Sequence, residues 1–127
     1  MFQKLIELAK KNDDIAILWL YGSRADGTFH KNSDYDLAIA FNTFLNNPLE
    51  NALRPEMLVL EWQSELQLKE KMLSIVDINR IPITLAFEII QYDEVLFCRD
   101  DVRLWREENR IYSRMELDMT YNMRRYA

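Results

Sequence analysis

The residues able to do chemistry here are three aspartates and a glycine–serine pair. Gly22-Ser23 follows directly on the apolar run Ile15 to Tyr21, and Arg24 comes next. Glycine after a strand can take a positive φ and lets the backbone approach a ligand closely. Successive N–H groups in such a turn converge on an anion, and the Ser23 hydroxyl and the Arg24 charge add to them. Ten residues separate Ser23 from Asp34-Tyr35-Asp36. Strand side chains alternate faces, so Asp34 and Asp36 project together at the start of an otherwise apolar strand. Carboxylates that close resist joint ionisation. A divalent cation removes the conflict, and hard oxygen donors suit Mg²⁺. Asp77 lies in a further apolar run, Ile75-Val76-Asp77-Ile78, where a charge is costly unless paired or metal-bound. If that strand lies beside the Asp34/Asp36 strand, three carboxylates meet, as a two-metal phosphoryl-transfer site needs. Each part also has a plainer reading: an ordinary turn, a solvated strand-edge pair, a satisfied structural aspartate.

The elements that must position these residues follow from periodicity. Phe2, Leu5, Ile6, Leu8 and Ala9 predict a first helix over 2–11, and Ile15 to Tyr21 has the length of a buried strand. Residues 22–33 read as irregular, and Asp34 to Phe41 as a second strand. Leu58, Trp62, Leu66 and Leu73 mark a long helix from about 49 to 73, whose continuous part begins at Pro55 on this reading. A short strand over 74–79, a helix over 83–92, a strand at 95–98 and a last helix over about 100–126 complete the order. The sum is an α/β (α+β) chain, one domain over 1–127, with helices packed on a short mixed sheet.

Composition bounds the function. Average usage of roughly 7% glycine would give about nine in a chain of this size; there are two, Gly22 and Gly27, in one six-residue window of the 127 residues. With 49% hydrophobic residues, collagen-like, linker-like and disordered classes are excluded. The net charge of −5 disfavours independent binding to nucleic-acid backbones. No apolar run is long enough to span a membrane, and residues 1–12 are amphipathic without the apolar stretch of a signal peptide. The single Cys98 excludes an internal disulfide and a cysteine-based zinc site; it reads as inert packing in a reduced, cytoplasmic protein.

The combination of Gly22-Ser23, ten residues, Asp34-Tyr35-Asp36 and a downstream Asp77 resembles the DNA polymerase beta-like nucleotidyltransferase superfamily. The fuller run GSRADGTFHKNSDYDLAI is similar to its minimal nucleotidyltransferase (MNT) branch, the MntA-type antitoxins of HEPN/MNT toxin–antitoxin pairs. The close match covers about residues 20–40 and the organisation about 1–100. The resemblance implies a small nucleotidyltransferase fold with a long C-terminal helix. It implies Asp34, Asp36 and Asp77 as Mg²⁺ ligands, two ions in all, with Asp77 helping to activate the acceptor. Gly22 and Ser23, and less securely Arg24, would contact the phosphates of ATP. It further implies a hetero-oligomer with a HEPN-domain toxin, whose tyrosine receives AMP; a homodimer stays open.

The rest of the sequence is read more plainly. His30 and Lys31 belong to a solvated loop, Asp26 to a turn, Trp19 and Trp62 to the core, and Glu88, Asp93 and Glu94 to the surface. The last helix carries two apolar stripes, Leu104, Glu108, Ile111 and Met115 on one and Trp105, Tyr112 and Met119 on the other, extended by Tyr121, Met123 and Tyr126. Two such faces exceed what one core contact requires; the readings are a helix that docks a partner or a second copy, and, more plainly, one wrapped on its own core. The competing functions are a non-catalytic neutraliser that covers a toxin and a transferase for a small-molecule hydroxyl. A haloacid dehalogenase-like phosphatase is disfavoured because Lys31-Asn32-Ser33, not an apolar strand, precedes Asp34.

Overall fold

The computed structural model describes residues 1–126; the side chains of 121, 122 and 124–126 lie outside that description, and with them the expectations for Tyr121 and Tyr126. The order is α1 (Phe2–Lys11), β1 (Ile15–Tyr21), α2 (Ser23–Asp26), β2 (Tyr35–Phe41), α3 (Pro48–Glu65), β3 (Leu73–Asp77), α4 (Ile83–Gln91), β4 (Val95–Cys98) and α5 (Asp101–Tyr126). The four strands form one mixed sheet in the order β3-β2-β1-β4. β1 is antiparallel to both neighbours and β2 is parallel to β3. The expected fold class is therefore the observed one.

Burial explains the two helical layers. Residues 15–20 of β1 are buried throughout, as a central strand covered on both faces must be. Leu37, Ile39 and Phe41 of β2 pack with Leu5, Ala9, Leu58 and Trp62, so α1 and α3 cover that face. Ala38 and Ala40 face the other way, and their small side chains leave room for Trp19, Ile89, Ile90 and Ile111 beneath α4 and α5. Each large aliphatic side chain buried in this way contributes about 1.5–3 kcal/mol.

The boundaries depart from the pattern reading in three places. The Gly22 turn continues into the single turn of α2. Helix α3 starts at Pro48, capped by Asn47 Oδ1, which accepts from the N–H groups of Leu49 (2.9 Å) and Glu50 (3.2 Å), and it runs through Pro55 without a break. It ends at Glu65 rather than near 73, because Gln67 (φ 53°) and Lys71 (φ 68°) leave the helical region. Strand β3 stops at Asp77, where the Asn79 N–H turns back to donate to Asp77 Oδ1 at 2.9 Å.

Among the described residues no helix is long and apolar enough to cross a membrane. Cys98 is half-buried, with its thiol pushed up mainly by burial and donating to Asp101 Oδ1 at 3.5 Å, so it stays protonated and unreactive.

Trp62 and Trp105 separate core from surface in one experiment. Trp62 is 2% exposed and Trp105 is 65% exposed. In urea unfolding, Trp62→Ala is expected to cost about 3–5 kcal/mol, and Trp105→Ala no more than about 0.5 kcal/mol.

Candidate active site

The site lies where β1 ends and β2 begins. Tyr21 pairs with Asp36 across the antiparallel ladder, so the turn at Gly22 comes down beside the Asp36 carboxylate. Gly22 has φ 75° and ψ −158°, a combination open in practice only to glycine. A Cβ there would overlap Asp36 Oδ2. Both conditions, the backbone angle and the contact, make this glycine irreplaceable. Gly27, the left-handed C-cap of α2 at φ 83°, meets nothing within 4 Å and serves the turn alone. At the start of α2 the N–H groups of Ser23 and Arg24 have no helical carbonyl to bond, as at any helix start.

Asp34 immediately precedes β2, and Asp36 is its second residue; both are half-buried. Burial first, and the Asp34 charge second, push the Asp36 carboxyl up to about 6. Burial, followed by the charges of Asp36, Glu88 and Asp34, pushes the Tyr21 phenol up to about 12. This crowding of negative charge is the condition a divalent cation relieves. Hard carboxylate oxygens beside open backbone N–H groups fit Mg²⁺ with a phosphate, so Asp34 and Asp36 are the residues that would hold it.

Asp77 does not join them. Strand β3 does lie beside β2, but the register sets Asp77 against Ile39, three residues beyond Asp36. That is roughly 10 Å along the strand, and an odd offset, so Asp77 points to the opposite face with Leu73 and Ile75. It is 5% exposed and faces Arg54 Nη2 at 3.8 Å. Burial raises its carboxyl, against the lowering effects of the Asn79 N–H, Arg54, Arg80 and Arg103. Arg54 itself stacks 4.0 Å from the Phe41 ring and donates to Asp14 Oδ2 at 3.2 Å and to the Thr43 carbonyl at 2.9 Å. Asp77 thus stands on the other face of the sheet, beside Arg54 and apart from the Asp34/Asp36 pair it was expected to join. Among the described residues no group of three acidic, His or Cys side chains is placed to hold a metal ion.

The residue that does stand beside Asp36 on β3, on the same face, is Ser74. Pattern reading missed it because the choice depends on a register fixed across α3. It also missed the end of α4, where Glu88 and Tyr92 share this end of the sheet. Burial, then the charges of Glu88, Asp26 and Asp36, raise the Tyr92 phenol.

Arg24 is engaged elsewhere. Its guanidinium lies 4.3 Å from the Tyr35 ring and 4.7 Å from the Phe29 ring, and donates to the Ser33 carbonyl at 2.9 Å. It fastens the 28–34 loop next to Asp34. His30 is exposed, its Nδ1 accepting from the Asn32 N–H at 3.2 Å, and Asp26 accepts from Thr28 as a turn residue does.

The family model "Polymerase beta, Nucleotidyltransferase" matches residues 3–102, the stretch that holds this whole site. The chain belongs to the polymerase beta nucleotidyltransferases. Solved structures agree on the nucleotidyltransferase fold. A toxin–antitoxin complex with AMP-PNP is 20% identical, with TM-score 0.69 over 98% of this chain and 92% of the other. An MntA-HepT toxin–antitoxin complex is 17% identical, with TM-score 0.69 over 96% and 90%. A complex of MNT antitoxin with tri-AMPylated HEPN toxin of Shewanella oneidensis is 15% identical, with TM-score 0.68 over 96% and 89%. No protein of curated function matches by sequence.

Two outcomes follow for this nucleotidyltransferase. The Asp36 carboxyl is raised in the fold to about 6, so the native state holds its proton more tightly than the unfolded chain. Stability therefore falls as pH rises from about 4 to about 6 and stays lower above. In EDTA, Asp36→Asn is expected to melt higher than the parent at pH 7.5, with the advantage gone near pH 4. Separately, Gly22→Ala is expected to cost roughly 1–3 kcal/mol in urea unfolding and to displace Asp36, whereas Gly27→Ala loses only about 1 kcal/mol.

Proposed function

We propose that the protein transfers AMP from ATP, with Mg²⁺, to a hydroxyl of a HEPN-domain toxin, most directly a tyrosine, and so acts as its antitoxin in the cytoplasm. The observation that carries this reading is the Asp34/Asp36 pair pressed against Gly22, in a family whose members transfer nucleotides. Complexes similar in fold hold AMP-PNP in one case and a tri-AMPylated HEPN toxin in another.

The chain's own residues have simple tasks. Gly22 and the N–H groups of Ser23 and Arg24 receive phosphate oxygens at the start of α2, with the Ser23 hydroxyl beside them. Asp34 and Asp36 hold Mg²⁺, which when bound neutralises triphosphate charge and polarises the α-phosphate. Arg24 ties down Ser33, the residue before Asp34. The acceptor oxygen then attacks the α-phosphorus and pyrophosphate leaves. Positioning and charge neutralisation supply most of the rate.

The acceptor surface is supplied by α5 together with the partner. Leu104, Glu107, Ile111 and Met115 form its inner stripe; Glu107 takes the inward place expected for Glu108, bound by Arg103 (2.9 Å), Arg110 (2.9 Å) and Asn79 (3.0 Å). Trp105, Tyr112, Met119 and Met123 are exposed along an adjoining side, where Tyr112 meets Phe87 of α4. Exposed aromatic and Met side chains in a stripe are the composition of an interface core.

The decisive incubation is parent protein, labelled ATP, Mg²⁺ and the HEPN-domain partner, with the modified residue located by mass spectrometry. The parent is expected to add AMP and to neutralise the toxin. Asp36→Asn should do neither, while Asp77→Asn should keep transfer despite lower stability. Neutralisation by Asp36→Asn at full potency would leave binding alone as the function. A chain ending near Arg114 should keep its sheet but lose the complex.

A further inference from the structure

Transfer to a hydroxyl must dispose of one proton, and the sheet offers nothing to take it. On β3 the neighbour of Asp36 is Ser74, and on β1 it is Tyr21, neither of them a carboxylate. Asp34 and Asp36 are committed to the cation, and among the described residues no third acid completes a cluster with them.

Helix α4 brings a carboxylate to the same end from above. It starts just past the far end of β3 and runs back over the face that Asp36 shares. Ala86, Ile89 and Ile90 are buried against Trp19 and Ala38. The turn after α4 is pinned to the end of β1 by the Leu20 N–H donating to the Glu94 carbonyl at 2.8 Å, two residues before Gly22. Glu88 therefore sits in the last turns of α4 at the site end. With Phe87, Gln91 and Tyr92 it lines a shallow groove of about 360 Å³. Tyr92 follows α4 directly, two residues before the Glu94 tie to Leu20, so the groove opens at the end of the sheet where β1 leads into Gly22. Gln91 Nε2 donates to Tyr112 Oη at 3.2 Å, and Phe87 stacks edge-on to Tyr112 at 5.7 Å. The groove is thus continuous with the exposed stripe of α5.

We infer that Glu88 is the acceptor-side base, and that the groove it lines with Phe87, Gln91 and Tyr92 seats the acceptor side chain. The inference rests on the nucleotidyl-transfer reading above. The acceptor O–H proton passes to the Glu88 carboxylate as the oxygen forms its bond to the α-phosphorus. The bond from that phosphorus to the bridging oxygen breaks, and pyrophosphate departs with the electron pair. Apolar walls at Phe87 and Tyr92 suit a flat, hydrophobic side chain that ends in a hydroxyl.

The test compares parent, Glu88→Gln, Ser74→Asp and the double variant, each with labelled ATP, Mg²⁺ and the HEPN-domain partner. Glu88 is exposed, so Glu88→Gln should fold as the parent does. It is expected to lower the transfer rate about 100-fold or more, with ATP affinity unchanged by calorimetry. Ser74→Asp places a carboxylate beside Asp36 and is expected to restore at least about tenfold of that loss in the double variant, as a relocated general base should. Both results together support the assignment. Unaltered transfer by Glu88→Gln, loss of ATP binding, or loss without rescue overturns it. A parent that transfers nothing overturns the nucleotidyl-transfer reading and this inference with it, whereas a parent active alongside an equally active Glu88→Gln overturns the inference alone.

Discussion

The approach of Gly22 to Asp36 governs this molecule. The antiparallel pairing of Tyr21 with Asp36 puts the end of one strand beside the start of the next. Only a residue without a Cβ fits between them, and only glycine adopts the backbone angles that turn the chain there. What results is a carboxylate next to a helix start, half-buried and raised toward neutrality. Folding alone leaves that carboxylate in an unfavourable place. The buried strands around it, with Ile17, Leu18, Leu37 and Ile39 fully enclosed, supply the stability that tolerates it.

The two ends of the sheet make a physical contrast. At the far end the buried carboxylates face cations. Arg54 meets Asp14 and Asp77, and Glu107 meets Arg103, Arg110 and Asn79, so that its carboxyl is lowered despite burial. Charges so satisfied fix the packing of α3 and α5 and need no ligand. At the near end Asp34 and Asp36 are both half-buried, Asp36 beside Tyr21, and negative charge accumulates. Unresolved charge of one sign at the edge of an apolar sheet is what a cation and a triphosphate would settle. The Arg24 guanidinium lies against the rings of Phe29 and Tyr35.

Much of this was legible in the chain. Gly22, Ser23, Asp34 and Asp36 are bound by local rules: a strand, a turn and the start of the strand that pairs with it. Residue type and spacing over fifteen positions are enough for that. The four longer helices, α1, α3, α4 and α5, and the two strands of seven residues likewise follow from periodicity, and the inner and outer stripes of α5 were separable except for Glu107 against Glu108. Asp77 was not legible, because its role depends on the parallel register between β2 and β3, set through the whole of α3. One residue of register turns a side chain to the other face. The alternation of Leu73, Ile75 and Asp77 carried part of the signal, but not which face of β2 they share. Arg24 escaped for a related reason: two rings placed by different segments claim it. Glu88 looked like surface and is exposed; only the return path of α4 makes its position meaningful.

The central claim is that the metal–nucleotide site belongs to the Gly22/Asp34/Asp36 end and excludes Asp77. Paramagnetic broadening of backbone amides by Mn²⁺, with AMP-PNP present, tests it most directly, since the effect falls steeply with distance. Signals of residues 22–26, 34–36 and Ser74 should broaden at low Mn²⁺, while those of 41–43 and 77–80 stay sharp. Broadening centred on Asp77, with residues 22–26 unaffected, would contradict the placement of the site.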